Sequence, residues 1–145
     1  MKYVYSDGGR KAAGFKGTAA GDCVCRAISI AAELPYKEVY DLINYYSKRE
    51  QICKTRPKRS SARTGVYKST IDKVMKHIGW KWVSLMGKGQ SLNLSHDKLP
   101  SGRLVLDLSG HCTAVIDNVI HDTFDCSNEY NNRIYGYYIK DDNIE

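Results

Sequence analysis

Between Cys23 and Leu34 the chain places Val24, Ala27, Ile28, Ile30, Ala31 and Leu34 around most of a helix circumference, and Pro35 stops the run. A helix that is apolar on nearly every side cannot lie on a surface. The pattern therefore predicts a central helix that the remaining elements have to cover, with Asp22 as its N-cap. A cysteine stands at its first turn, where unpaired N–H groups and the positive end of the backbone dipole favour thiolate over thiol. The glycine-dotted approach, Gly8 to Gly21, reads as a loop after a short strand at Tyr3 to Tyr5.

Pro35 suits the first turn of a second helix, Tyr36 to about Ser47, with Val39, Leu42, Ile43 and Tyr46 at helical spacing. A third helix is expected from about Val66 to Ile78, closed by Gly79. Trp80 to Leu85 then reads as a strand, Met86 to Gln90 as a turn, and Arg103 to Leu108 as a strand after Pro100-Ser101-Gly102. Gly110 to Ile116 and Val119 to Phe124 flank Asp117-Asn118, a pair that tolerates positive φ and predicts a tight hairpin. Tyr135 to Ile139 is a last strand before an acidic tail, Asp141 to Glu145. Helices first and strands second predict an α+β fold, with the N-terminal helices packed on a C-terminal antiparallel sheet and residues 1–145 forming one domain.

Charge is concentrated rather than spread. The net charge is +6, and Lys48 to Lys68 holds eight Lys and Arg against the single acid Glu50. Pro57, Ser60 and Ser61 break that stretch, so residues 48–65 are expected to form an exposed, mobile loop. Its Arg56, Lys58, Arg59 and Arg63 are candidate contacts for nucleic acid or an acidic protein surface, although a solvated loop is the commoner meaning of such a run. The sequence has no apolar run of signal or membrane-span length, which predicts a cytoplasmic protein without membrane association. Five cysteines, an odd number, are then expected to be reduced thiols. Neither a zinc spacing nor a phosphate-binding glycine motif is present, and the reading calls for no metal and no cofactor.

A two-residue turn would set Ile116 opposite Val119 and Thr113 opposite Asp122, making His111 and Asp122 diagonal neighbours on one face of the hairpin. A thiol at a helix start, with an imidazole and a carboxylate on a hairpin, supplies the parts of a thiol hydrolase. Cys23 is the candidate nucleophile, His111 the base and then the acid, and Asp122 the group that orients His111. Cys25 is the second choice of nucleophile, while Cys53, Cys112 and Cys126 read as ordinary thiols and Arg26 as a structural ion-pair partner.

Asp22-Cys23-x-x-Arg26-Ala27-Ile28, Leu34-Pro35-Tyr36 and Gly110-His111-x-x-Ala114-Val115-Ile116-Asp117 with Asp122-Thr123 resemble the small papain-like cysteine hydrolases of phage and bacterial genomes. The layout is similar to the NlpC/P60 and bacteriocin-processing peptidase groups over roughly Gly21 to Ser127. The resemblance implies a Cys23-His111-Asp122 triad that cleaves a peptide, isopeptide or other amide bond of a protein or peptide through a thioester, in the host cytoplasm if phage-encoded. One departure is that no Gln precedes Gln51, where such enzymes carry an oxyanion donor upstream of the cysteine; the Cys23 N–H, Thr18 and Ser6 are the substitutes on offer. The competing expectation is the same fold without catalysis, binding its partner through the basic loop.

Overall fold

The computed structural model describes residues 1–16, 21–86, 92–94, 99–128 and 133–142. Its elements run β1 (Lys2–Tyr5), α1 (Cys23–Ala32), α2 (Tyr36–Ser47), α3 (Lys68–His77), β2 (Trp80–Ser84), β3 (Leu92–Asn93), β4 (Arg103–Leu108), β5 (His111–Ile116), β6 (Val119–Asp122) and β7 (Arg133–Lys140), with a 3-10 turn at Cys126–Asn128. The fold is α+β. Thr18, His96, most of the expected turn after Met86 and the end of the acidic tail lie outside the described residues.

The strands form one sheet in the order β1-β6-β5-β4-β7-β2, and β3 also pairs with β7. The expected antiparallel sheet is instead mixed, because β1 runs parallel to β6, with Lys2 opposite Val119 and Tyr5 opposite Asp122. No hairpin joins these two strands, so nothing forces them to run in opposite directions. Elsewhere the pairing is antiparallel.

Two cores flank the sheet. On one side Val24, Ala27, Ile28 and Ala31 of α1, Val39 and Ile43 of α2, and Ile71, Val74 and Met75 of α3 pack with Val105, Cys112, Ala114 and Tyr138 of the strands. On the other, Leu94 and Leu99 cover Leu104, Leu106, Leu108, Val115, Ile120 and Ile134. That second cover explains why β4 reads as a nearly continuous apolar run: its alternate side chains are buried on opposite faces. The apolar girth of α1 is used as expected, with Val24, Cys25, Ala27, Ile28 and Ala31 all at or below 5% exposure. Glu33, in the left-handed region at φ 57°, ends α1 and hands over to Pro35 at the start of α2. Among the described residues no helix is long and apolar enough to cross a membrane.

The hairpin register that matters for function is the anticipated one. Ile116 faces Val119 across Asp117 and Asn118, at φ 49° and 62°. These two residues do more than turn the chain. Asn118 exchanges hydrogen bonds with the Leu99 backbone at 2.8 and 3.1 Å, and the Asp117 carboxylate accepts the Gly102 N–H at 2.7 Å.

Gly136 of β7 leaves room for the Trp82 ring: a Cβ there would overlap the indole edge and come within 2.6 Å of the Val83 carbonyl oxygen. Gly136→Ala is therefore expected to destabilise the protein by about 1–3 kcal/mol, as overpacking of a filled site does, read as a lower midpoint in urea unfolding.

Candidate active site

The loop before α1 and the helix itself position Cys23. Asp22 does not cap the helix with its side chain. The carboxylate, fully buried, accepts hydrogen bonds from Arg10 at 3.1 and 3.2 Å, from the Tyr36 hydroxyl at 2.7 Å and from Arg26 in a close ion pair. The expected N-cap is thus replaced by an i,i+4 salt bridge, which leaves the positive end of α1 without a side-chain acceptor beside the thiol. Gly21 is needed at the approach, since a Cβ there would lie 2.8 Å from the Thr64 carbonyl oxygen.

The β5–β6 hairpin delivers the other two groups. His111 Nε2 lies 2.7 Å from Asp122 Oδ2, and Asp122 also accepts from Thr113 Oγ1 and the Thr123 N–H, each at 2.7 Å, and pairs with Arg26 Nη2 at 3.4 Å. These bonds hold Asp122 below its ordinary carboxylate value in spite of its burial. Phe124 stacks at a tilt on the His111 ring, with centroids 5.0 Å apart. With Nε2 committed to the carboxylate, Nδ1 is the ring nitrogen left for the thiol.

Cys23, His111 and Asp122 are therefore brought together. Burial opposes ionisation of Cys23, but hydrogen bonding to His111, its charge, the Cys112 N–H and the Arg26 guanidinium outweigh it and lower the thiol below its ordinary value. Burial likewise works against the charged form of His111, yet Asp122, Cys126 and Cys23 together raise it to about 11. Both shifts run in the direction that favours a thiolate–imidazolium pair over the neutral pair. Cys25 is not a second nucleophile: its side chain points into the core, its thiol donates to the Tyr36 carbonyl at 3.7 Å, and burial pushes it up to about 12.

Cys23 and His111 open onto a cleft of about 270 Å³, lined also by Val66, Ile71, Asp107 and Leu108. The basic stretch ends at its rim, since Gly65 and Val66 form part of the wall. This stretch is exposed as expected but is not the contact-free loop the composition suggests. Cys53 pairs with Arg56 and Ser61 with Gly65 as isolated bridges, and Glu50 holds both Ser60 and Thr70. The four candidate cations divide accordingly. Arg56 lies 4.7 Å over the Tyr67 ring and Arg63 bonds the Lys16 carbonyl, while Lys58 and Arg59 project outward without a side-chain partner among the described residues. None of the four lines the cleft.

Several contributors escape a sequence reading. Arg10 and Tyr36 converge on Asp22 from separate segments, and Cys126 reaches His111 from the turn after β6. Thr113 was visible in the register, opposite Asp122, and Arg26 in its i,i+4 spacing from Asp22. Ser6 is turned to its own loop, where its hydroxyl accepts the Gly8 N–H at 3.2 Å. His111, Asp122 and Cys126 offer donor atoms within 4.8 Å of one another, one donor short of a closed structural zinc set. The direct His111–Asp122 bond gives those atoms an orienting role without an ion.

Compared with known proteins, the chain has no match: no family model, no curated protein and no solved structure is significantly similar to it. The functional argument accordingly rests on the geometry.

Because the Cys23 thiol is lowered and His111 is raised, the thiolate forms as pH rises through the depressed value and keeps its imidazolium partner up to about pH 11. In a Cys53→Ser background, which removes the one exposed thiol, iodoacetamide should alkylate Cys23 with a midpoint below the ordinary thiol value of about 8.5. His111→Ala should move that midpoint up by at least about one unit, measured from rate against pH; an unchanged midpoint would break the ion-pair assignment.

Proposed function

We propose that this chain is a cysteine hydrolase of papain-like layout that cleaves a peptide, isopeptide or other amide bond. The observation that carries the reading is the Cys23 thiol, lowered by its hydrogen bond to a His111 that Asp122 holds at 2.7 Å, with Cys23 and His111 opening onto a cleft. The thiolate attacks the carbonyl carbon, and the oxyanion forms beside the open start of α1, where the Cys23 N–H serves as a backbone donor. His111 Nδ1 passes its proton to the leaving nitrogen as the C–N bond breaks, leaving a thioester on Cys23 and a neutral imidazole. Water then attacks the thioester; His111 takes its proton, the C–S bond breaks, and the thiolate–imidazolium pair returns with release of the acid. Asp122 keeps the Nε2–H tautomer and stabilises the cation throughout. Five unbridged cysteines fit a reducing, cytoplasmic setting.

An activated aryl ester tests the acyl step without knowledge of the natural substrate. Wild type should give a burst of one equivalent of phenolate and a mass adduct on the peptide containing Cys23. Cys23→Ala and His111→Ala should each cut the acylation rate by about 10³-fold or more, whereas full activity in Cys23→Ala would refute the proposal.

A second reading is supported by Lys58 and Arg59, two exposed cations without a side-chain partner among the described residues, on a pinned loop. In that reading the chain engages nucleic acid or an acidic protein, with or without turnover. Binding to such a partner should survive Cys23→Ala, fall steeply with salt and vanish when Arg56, Lys58, Arg59 and Arg63 are neutralised. Salt-independent affinity in filter or titration assays would exclude it.

A further inference from the structure

The cleft holds a carboxylate that neither the triad nor its supporting ion pairs use. Asp107 sits in β4 between Leu106 and Leu108, opposite Cys112 of β5 and Gly136 of β7. Strand alternation puts it on the same side as Val105, which packs among the helices, and it lines the cleft with Cys23, Val66, Ile71 and His111. The register of β4 against β7 shifts between Asp107 and Leu108, a local irregularity of the kind that re-aims a side chain at a functional site.

Asp107 is half-buried and makes no hydrogen bond or ion pair among the described residues. Burial raises its pKa, and Lys68 offsets this only in part, opposed by Asp72. Lys68 is committed elsewhere. Its ammonium pairs closely with Asp72 and lies 3.8 Å from the Trp82 ring centroid and 4.8 Å from that of Tyr138. The Tyr138 hydroxyl bonds the same Asp72 carboxylate. The result is an unsatisfied carboxylate beside the reactive thiol, walled by Val24, Val66, Ile71 and Leu108.

Such a group is costly to desolvate unless a positive charge joins it. The apolar walls suit methylenes, and a volume of about 270 Å³ falls below that of most small-molecule pockets, so it accommodates one side chain. We propose that Asp107 is a specificity residue that receives the ammonium or guanidinium end of a basic side chain next to the carbonyl attacked by Cys23. The substrate class is then an amide flanked by a lysine-like or arginine-like residue. As a statement about substrate, this rests on the hydrolase reading; as a statement about the cleft, it can be read from alkylation alone.

The test uses the Cys53→Ser protein and two bromoacetamides of equal length, one ending in a primary ammonium and one in a neutral methyl group. Wild-type Cys23 should react about ten-fold faster with the cationic reagent, the scale of one charge-assisted contact. Asp107→Asn should bring that ratio near one, with the urea-unfolding midpoint measured alongside as the control for folding. Asp107→Glu should retain a preference for the cation. A ratio near one in wild type, or a ratio that persists in Asp107→Asn, overturns the proposal. Because alkylation requires no turnover, a cationic preference without any acyl burst would remove the hydrolase reading and leave the cation subsite standing. A burst with no cationic preference would do the reverse.

Discussion

Arg26 is buried between two carboxylates, and most of the site is arranged by that fact. Asp22 lies on one side of the guanidinium and Asp122 on the other, and each has its own further partners. Arg10 and Tyr36 complete Asp22, while Thr113, Thr123 and His111 complete Asp122. The chain of alternating charges thus runs from the N-terminal loop through α1 to the hairpin and stops at the imidazole. Desolvating so many charges is expensive, and net stabilisation is not the natural explanation for keeping them. What the arrangement provides is position, because Asp22, Arg26, Asp122 and His111 are each held from two or more directions. Arg26 Nε has no partner among the described residues, so even this network is incompletely satisfied there.

The same interior explains a division of labour among the thiols. Cys23 and Cys25 are two residues apart on one helix, yet one is lowered and the other driven to about 12. Position on the helix accounts for only part of the difference. Cys23 meets an imidazolium, an N–H and a guanidinium; Cys25 meets apolar neighbours and the Asp22 charge. Cys112 is buried and raised by that burial, while its backbone N–H serves Cys23.

Local chemistry made much of this legible in advance. The turn pair Asp117-Asn118 specifies a two-residue hairpin, and that register alone places His111 diagonal to Asp122. The apolar girth of α1 required burial, and it is buried. Tertiary choices were less accessible. A parallel partner for β1 cannot be read from β1 itself, and Asp22 looked like a cap because propensity does not know that Arg10, Arg26 and Tyr36 will compete for its carboxylate. Composition made residues 48–65 look unrestrained, since the anchoring acid, Glu50, sits among cations and acts through Ser60 and Thr70. Asp107 did leave a trace as the one acid in a strand whose Leu104, Val105, Leu106 and Leu108 are buried.

The parallel pairing of β1 with β6 has a consequence for biosynthesis. Tyr5 stands opposite Asp122, the Ser6 N–H donates to the Asp122 carbonyl at 2.8 Å, and the Tyr3 hydroxyl reaches that carbonyl at 3.2 Å. β1 therefore leaves the ribosome more than a hundred residues ahead of its neighbour, and the helix bearing the thiol waits with it for the hairpin. While the chain is nascent, Cys23 has neither its imidazole nor its guanidinium–carboxylate brace. A product truncated before the hairpin accordingly carries an ordinary cysteine, and the activated one arrives only with translation of β5 and β6.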